Sequence, residues 1–372
     1  LLLLEAAMLG VFMARDWSLF YVFWELTLIP LFFLIDRMGG ANRHRAALNF
    51  VLYTLGGSVF MLVALLLLYD AAPGHSFAMS DMAAGGAGLP QATQLLVFAG
   101  LFVGFGVKMP VFPMHGWLPL AHVEAPSPVS ILLSGVLLKM GAYGLIRAAE
   151  TLPSAVLILQ PWLATLAFVS LLYGSILAWR QTDLKRMVAY SSVAHMGVVL
   201  LGIATLNFVG LSGAVFQMTA HGYAAALMFL LVGIVYQRTH TRELGEIGAL
   251  SSAAPKLAFC LALAMLSAAG LPGSAGFIAE LQVLVGGFAR WQGWVALLSL
   301  GVLISAAYAL RVVGRLCIGE RPHIAPVADL APAERFAVGL LVLGILGPGL
   351  WPAPLLSLSA ASLRDIVQLF GG

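Results

Sequence analysis

The chain is a succession of apolar runs, most of them about as long as a bilayer is thick, separated by short clusters of charge and turn residues. A helix rises 1.5 Å per residue, so about 20 apolar residues cross roughly 30 Å of hydrocarbon. Eleven candidate spans fall near residues 1–14, 17–35, 47–69, 93–119, 127–149, 154–179, 187–204, 208–236, 257–288, 293–316 and 336–352. With 61% hydrophobic and only 9% charged residues and a mean hydropathy of +0.98, a soluble fold is excluded. Inside a bilayer each segment must satisfy its own backbone hydrogen bonds, so the expectation is an all-α, polytopic transmembrane helical bundle in contact with lipid. The 40 glycines and 18 prolines fit that class, because neighbouring helices or water can satisfy a broken backbone.

The first run, Leu1 to Met13, is short for a pass, which suggests further sequence upstream. A signal peptide is a poor alternative, since no basic segment precedes the run. Cys260 and Cys317 lie in apolar stretches without CxxC spacing, so neither a disulfide framework nor a thiolate metal site is expected. No nucleic-acid partner is expected either.

Charge orients the spans. Thirteen basic residues follow even-numbered spans: Arg37, Arg43 and Arg45; Arg180, Lys185 and Arg186; Arg238, Arg242 and Lys256; Arg311, Arg315, Arg321 and Arg335. The opposite side has four, Arg15, Arg147, Arg290 and Arg364. The positive-inside rule puts the richer side in the cytoplasm, with a bacterial plasma membrane as the expected location.

Two spans are long and interrupted. Gly104, Gly106, Pro110 and Pro113 surround Lys108 in the fourth, and Gly270, Pro272, Gly273 and Gly276 precede Glu280 in the ninth. Proline removes a donor and clashes with the preceding turn, so both helices should break and leave unpaired carbonyls at depth. The breaks lie five spans apart, as two five-helix units of inverted topology require. The expected division is 1–149 for the first repeat, 154–316 for the second, and 336–372 for a last span and tail. Two unrelated proline kinks are the simpler alternative.

A charge at a helix centre costs roughly 2.5–3.5 kcal/mol on insertion scales, so each needs a partner or water. Glu25 lies about 12 Å into the second span and Lys139 about 18 Å into the fifth, while Lys108 and Glu280 sit at the breaks. Glu5 joins them if its helix extends upstream. His195 and His221, on the seventh and eighth spans, titrate near neutrality and suit a relay between them. Fixed ion pairs that set helix register would use the same charges, and the two histidines would also suit axial haem ligation. No CxxCH or dinucleotide GxGxxG is present, so redox cofactors are expected on other chains. His44, His75, His115, His122, His240 and His323 lie in or near loops and read as solvated.

Four segments resemble a known family: FYVFWELTLIPLFFLI around Glu25, KMPVFPMHGWLPLAHVEAPSPVSILLSGVLLKMGAYGLIR from Lys108, DLKRMVAYSSVAHMG around His195, and HGYAAALMFLLVG from His221. They resemble the antiporter-like subunits of respiratory complex I, and among these the subunit M / chain 4 family of NADH:quinone oxidoreductase. Related subunits and Mrp-type antiporters generally carry lysine in the second broken helix, where GLPGSAGFIAE supplies Glu280. The resemblance implies fourteen spans in the complete family fold, with three preceding those seen here. It also implies a proton relay in which Glu25 partners Lys108, Lys139 connects, His195 and His221 form a hydrated centre, and Glu280 ends the second half-channel. Leu120 stands where the family commonly has aspartate.

The implied function is proton translocation coupled to quinone reduction elsewhere in the complex, with neighbouring membrane-arm subunits as partners. NADH, FMN, Fe–S clusters and quinone would belong to the complex and not to this chain. The alternatives are a subunit of a multisubunit Na⁺/H⁺ antiporter, of a membrane-bound hydrogenase or ferredoxin-linked complex, or a non-transporting scaffold. The helix-spaced apolar tail from Leu355 to Phe370 is expected along a neighbouring subunit or the interface.

Overall fold

The computed structural model describes residues 1–319 and 327–371; Arg321 and His323 lie outside the described residues. Among these residues every named element is helical. In chain order they are α1 (Leu2–Met13), α2 (Trp17–Leu26), α3 (Leu28–Met38), α4 (Arg43–Ala71), α5 (Met79–Ala87), α6 (Gln91–Lys108), α7 (Trp117–Glu124), α8 (Ser127–Leu132), α9 (Leu138–Thr151), α10 (Pro153–Arg180), α11 (Leu184–Ala204), α12 (Phe208–Thr239), α13 (Leu250–Ala253), α14 (Pro255–Ala268), α15 (Ala275–Trp291), α16 (Leu298–Val313), α17 (Pro332–Leu350) and α18 (Ala353–Gln368).

Nine helical stretches among the described residues are long and apolar enough to cross a membrane, and α1 and α14 are shorter apolar helices. The longest stretch, Ala275–Ile318, holds two passes, α15 and α16, joined by the 3-10 segment Gln292–Leu297. Each expected span therefore has its helix or pair of helices. Large apolar side chains face outward, among them Leu2, Leu52, Trp294 and Phe336, as expected where the solvent is lipid. The chain is an integral membrane protein.

Caps set where passes begin. Asp16 accepts from Ser18 N at 2.8 Å and Leu19 N at 3.1 Å, Asp183 from Arg186 N at 2.8 Å, and Asn207 from Gly210 N at 2.9 Å. Each satisfies donors that the first helical turn leaves free. Small residues set where passes touch: a Cβ on Gly174 would meet the Ala194 backbone, and one on Gly197 the Leu171 backbone, so α10 and α11 lie close together. α11 is thereby the most enclosed pass, with nearly all of its residues buried.

The second span is one helix with a local interruption, at a residue that keeps helical dihedral angles. Pro30 has no N–H to offer Leu26 and crowds that carbonyl, and the helix is interrupted at Thr27 between α2 and α3. The tail forms a helix. α18 folds back on its own chain, burying Leu363, Ile366 and Val367 and setting Arg364 5.4 Å from the Phe208 ring of α12.

Candidate functional site

The break after α6 ends that helix at Lys108, which is fully buried. The carbonyls freed there are recaptured: Val111 N donates to Gly106 O at 2.9 Å and Trp117 Nε1 to Val107 O at 2.8 Å. The break thus leaves Lys108 buried at the helix end while the Gly106 and Val107 carbonyls find new donors, where open carbonyls were expected. Lys108 Nζ donates to Thr27 Oγ1 at 2.9 Å and lies 4.6 Å from the Trp24 ring centroid. Thr27 is oriented for this because its hydroxyl donates to Trp24 O at 2.7 Å, leaving a lone pair for the ammonium. Trp24 stacks edge-on against Phe105, giving a cation–π face within an aromatic wall.

Glu25 is near Lys108 but does not touch it. It lies within Coulombic reach of the lysine, yet makes no ion pair within 4.0 Å, and its Oε1 is buried without a partner. Glu25 is half-buried, flanked one turn away on each side by exposed Val22 and Ile29, so it borders the outer face of α2 and α3. The direct contact between Glu25 and Lys108 implied by the resemblance is replaced by Thr27 and Trp24. Both lie in FWELT beside the glutamate; a hydroxyl two residues from an intramembrane charge was the available signal.

α8 passes into α9 through a π-helical turn, Leu133–Leu137. There Leu138 N reaches back to Leu133 O, so the Ser134 carbonyl loses its usual partner and accepts from Lys139 Nζ. Lys139 Nζ also lies 2.7 Å from His221 Nδ1 on α12. His221 Nε2 is 3.1 Å from Ser192 Oγ on α11, which is 3.1 Å from Ser134 Oγ. The lysine can only donate, so His221 accepts at Nδ1 and carries its proton on Nε2 when Lys139 is charged.

The His195 and His221 rings follow at 5.4 Å between centroids. His195 Nδ1 lies 3.3 Å from Gln217 Nε2 and 3.5 Å from Glu280 Oε1. It can accept from the amide or donate to the carboxylate, but one nitrogen cannot do both at once. His195 Nε2, Gln217 Oε1 and Ser267 Oγ are buried without partners around a cavity of about 10 Å³, the volume one water needs. Both nitrogens of His221 are engaged and the space beside it is water-sized, so this pair does not fit axial haem ligation.

Glu280 sits on α15 just after the second break, and Gly270 and Gly273 take φ of +82° and +90° there. A Cβ on Gly270 would stand 3.0 Å from Glu280 Oε2, so this turn and this carboxylate need glycine together. Lys139, His221, His195 and Glu280 are thus gathered into one buried file across α9, α12, α11 and α15, with Ser192 and Gln217 as members that sequence reading missed. Lys108 and Glu25 form a separate cluster at the other break. Glu5, in the first turn of α1, joins neither hydrogen-bonded group.

Two histidines read as solvated are not, and one cation of the basic loops is buried as well. His115 and His122 are 7% and 0% exposed, and Lys185 is 5% exposed. The two histidines lie in and after the broken segment, which folds inward where a loop was expected, and Lys185 enters with the first turn of α11.

Residues 14–305 match the model of the family described as NADH:quinone oxidoreductase/Mrp antiporter, TM. The chain is 41% identical over 363 residues to NAD(P)H-quinone oxidoreductase chain 4 2 of Thermosynechococcus vestitus, covering 95% of this chain and 68% of that protein. It is 42% identical over 364 residues to chain 4 3 of Trichormus variabilis, covering 95% and 67%. Its fold superposes with a TM-score of 0.93 on a chain of respiratory complex I from Thermus thermophilus with bound NADH, at 35% identity over 99% of this chain and 78% of that one. A chain of the Mrp complex from Dietzia sp. gives 0.90 at 21% identity over 100% and 79%, a likeness of fold alone. With these matches added to a bundle whose two broken helices carry Lys108 and Glu280, the chain belongs to the NADH:quinone oxidoreductase/Mrp antiporter family of membrane subunits.

Proposed function

We propose that this chain is a proton-translocating membrane subunit of an NAD(P)H:quinone oxidoreductase, conducting through Glu25, Lys108, Lys139, His195, His221 and Glu280. The observation that carries the reading is the buried file in which Lys139 stands 2.7 Å from His221 and His195 3.5 Å from Glu280, the two imidazole rings being 5.4 Å apart beside room for one water. An isolated structural ion pair needs no such continuity. Moving one charge against 100 mV takes about 2.3 kcal/mol, which on this reading is supplied by redox groups, NADH, FMN, Fe–S clusters and quinone, held by other subunits.

The division of labour follows the two breaks. Residues 1–149 and 154–316 are two inverted repeats, each with one broken helix and its own charge, and Lys139 and the histidines join them. Glu25 borders the lipid-facing side, where a neighbouring membrane-arm subunit can alter its field at Lys108. A carboxylate moving toward or away from a buried ammonium changes that lysine's proton affinity, which turns an electrostatic disturbance into proton transfer. The arginine-rich loops face the cytoplasm of a bacterial cell.

In the complete complex reconstituted into liposomes, Lys108→Ala and Glu25→Ala should each slow proton pumping and the coupled quinone reduction about tenfold or more. Wild-type rates and stoichiometry in both would refute the assignment. Sodium-dependent proton exchange without an electron donor would favour the Na⁺/H⁺ antiporter reading instead.

A further inference from the structure

Where the buried file meets the second broken helix, His195 Nδ1 on α11 faces two groups with opposite demands. Gln217 Nε2, on α12, is 3.3 Å away and can only donate, so that contact requires a lone pair on Nδ1. Glu280 Oε1, on α15, is 3.5 Å away and as a carboxylate only accepts, so that contact requires a proton there. Neutral and charged His195 therefore choose different partners. Behind this contest, His195 Nε2, Gln217 Oε1 and Ser267 Oγ, the last at the end of α14, are buried without partners, and their residues line the same cavity of about 10 Å³. One water fits that volume and joins all three atoms. Water and a serine hydroxyl can each donate or accept, so this cavity suits either end of a carboxamide.

We propose that Gln217 is a positioning residue that gates proton transfer from His195 to Glu280 by turning its carboxamide end for end. The proposal rests on the proton-translocating reading and assigns the control of backflow within it. While His195 is neutral, the Gln217 N–H occupies the Nδ1 lone pair, and the ring proton on Nε2 points at the cavity water. No proton can then enter at Nδ1 from either side. When the carboxamide turns, its oxygen faces Nδ1 and its N–H groups face the water and Ser267 Oγ. A proton arriving from the His221 side now binds Nδ1, forming one N–H bond as one O–H or N–H bond breaks on the donor. That N–H bond breaks in turn as an O–H bond forms on Glu280. The amide N–H then returns to the lone pair, and the protonated Glu280 faces no free acceptor on His195.

A fixed amide–imidazole pair that only fills the core accounts for the 3.3 Å contact. It requires neither a carboxylate competing for the same nitrogen nor an amide oxygen left buried beside an unpartnered hydroxyl, since an unsatisfied buried acceptor is destabilising.

Two substitutions in the complete complex in liposomes separate these roles by opposite effects. Gln217→Met keeps the length of the side chain but has no N–H, so Nδ1 stays open and protons run back from Glu280. Fewer protons should be delivered per electron passed to quinone. Gln217→Glu offers Nδ1 an acceptor that cannot turn into a donor and holds His195 as the imidazolium. Pumping and the coupled quinone reduction should both fall to about one tenth of the wild-type rate or less, with protons per electron unchanged. If Gln217→Met does not assemble, Gln217→Asn, which draws the amide back by one methylene, is read in the same way. A core-filling role predicts less assembled complex in every variant at the wild-type number of protons per electron, and that result overturns the gate. Wild-type protons per electron in the Met or Asn variant, with Lys108→Ala still slow, overturns the gate and spares the wider reading. Wild-type pumping in Lys108→Ala and Glu25→Ala as well overturns both.

Discussion

Lys139 Nζ and His221 Nδ1 stand 2.7 Å apart across the contact of α9 with α12, and the far nitrogen of that imidazole is 3.1 Å from Ser192 Oγ on α11. Three helices from both halves of the chain therefore meet in one hydrogen-bonded unit, positioned by the π-helical turn that frees the Ser134 carbonyl. Replacing Lys139 by methionine leaves that carbonyl and His221 Nδ1 without a donor, at about 1–3 kcal/mol each. Lys139→Met should lower the thermal stability of the assembled complex and slow pumping about 100-fold. Lys139→Arg should recover stability but not pumping, since arginine stays protonated. Melting curves and liposome acidification read the two effects separately, and full pumping in Lys139→Arg would rule out a proton-carrying role.

Thr27 is the hydrogen-bond partner of Lys108, at 2.9 Å. Thr27→Val preserves shape and removes the acceptor, leaving the buried ammonium with only the Trp24 face. The expected outcome is a loss of about 1.5–3 kcal/mol, the range for a hydrogen bond to a charged group. Thr27→Ser should restore it. Thermal melting of the purified complex checks this; equal stability of all three would mean the contact contributes nothing.

Gly270 combines a φ of +82° with the approach of Glu280 Oε2 to the place a Cβ would occupy. Gly270→Ala should destabilise the second break by about 1–2 kcal/mol from the backbone alone, and should also displace Glu280 and slow pumping several-fold. Gly245, where nothing lies within 4 Å of an added Cβ, serves as the control, and Gly245→Ala should leave stability and pumping unchanged. Equal melting temperatures in the two alanine variants would show that the break tolerates a side chain.

Asp329 lies in the connection before α17 and caps α14, accepting from Lys256 N at 3.2 Å and Leu257 N at 3.0 Å. Partial burial pushes its carboxyl up, but the amides of Leu330, Leu257 and Lys256 outweigh this and hold it below the usual carboxylate range. A lowered folded-state pKa gives stability that is complete above the unfolded value and lost as pH falls through the folded one. Asp329→Ala should therefore cost about 1 kcal/mol at neutral pH, the usual size of a lost cap. The gap between wild type and variant should close below about pH 4. Melting curves across pH decide it, and a gap independent of pH would exclude the charged cap.

Membrane crossing was legible because it depends on composition along a single segment, and no neighbour can change the cost of exposing a charged or polar backbone to hydrocarbon. The breaks beside Lys108 and Glu280 were legible for a similar reason: proline removes a donor wherever it stands. Pro30 follows the same rule but only interrupts its helix locally, and the continuous apolar run through it gives no sign of this. His115 and His122 were misjudged because distance along the chain from a loop says nothing about depth once a broken helix folds inward.

The sequence by itself determined that the chain spans a membrane, which end carries the positive charge, and which ionisable side chains must find partners at depth. Only the tertiary structure decided who those partners are. It gave Lys108 to Thr27 and Trp24 and left Glu25 at the outer face, and it set Lys139 against His221 and His195 against Glu280. The physical reason is that solvation energy is a property of each segment, whereas a hydrogen bond of about 3 Å between helices distant in sequence depends on where small residues and helix breaks let those helices approach.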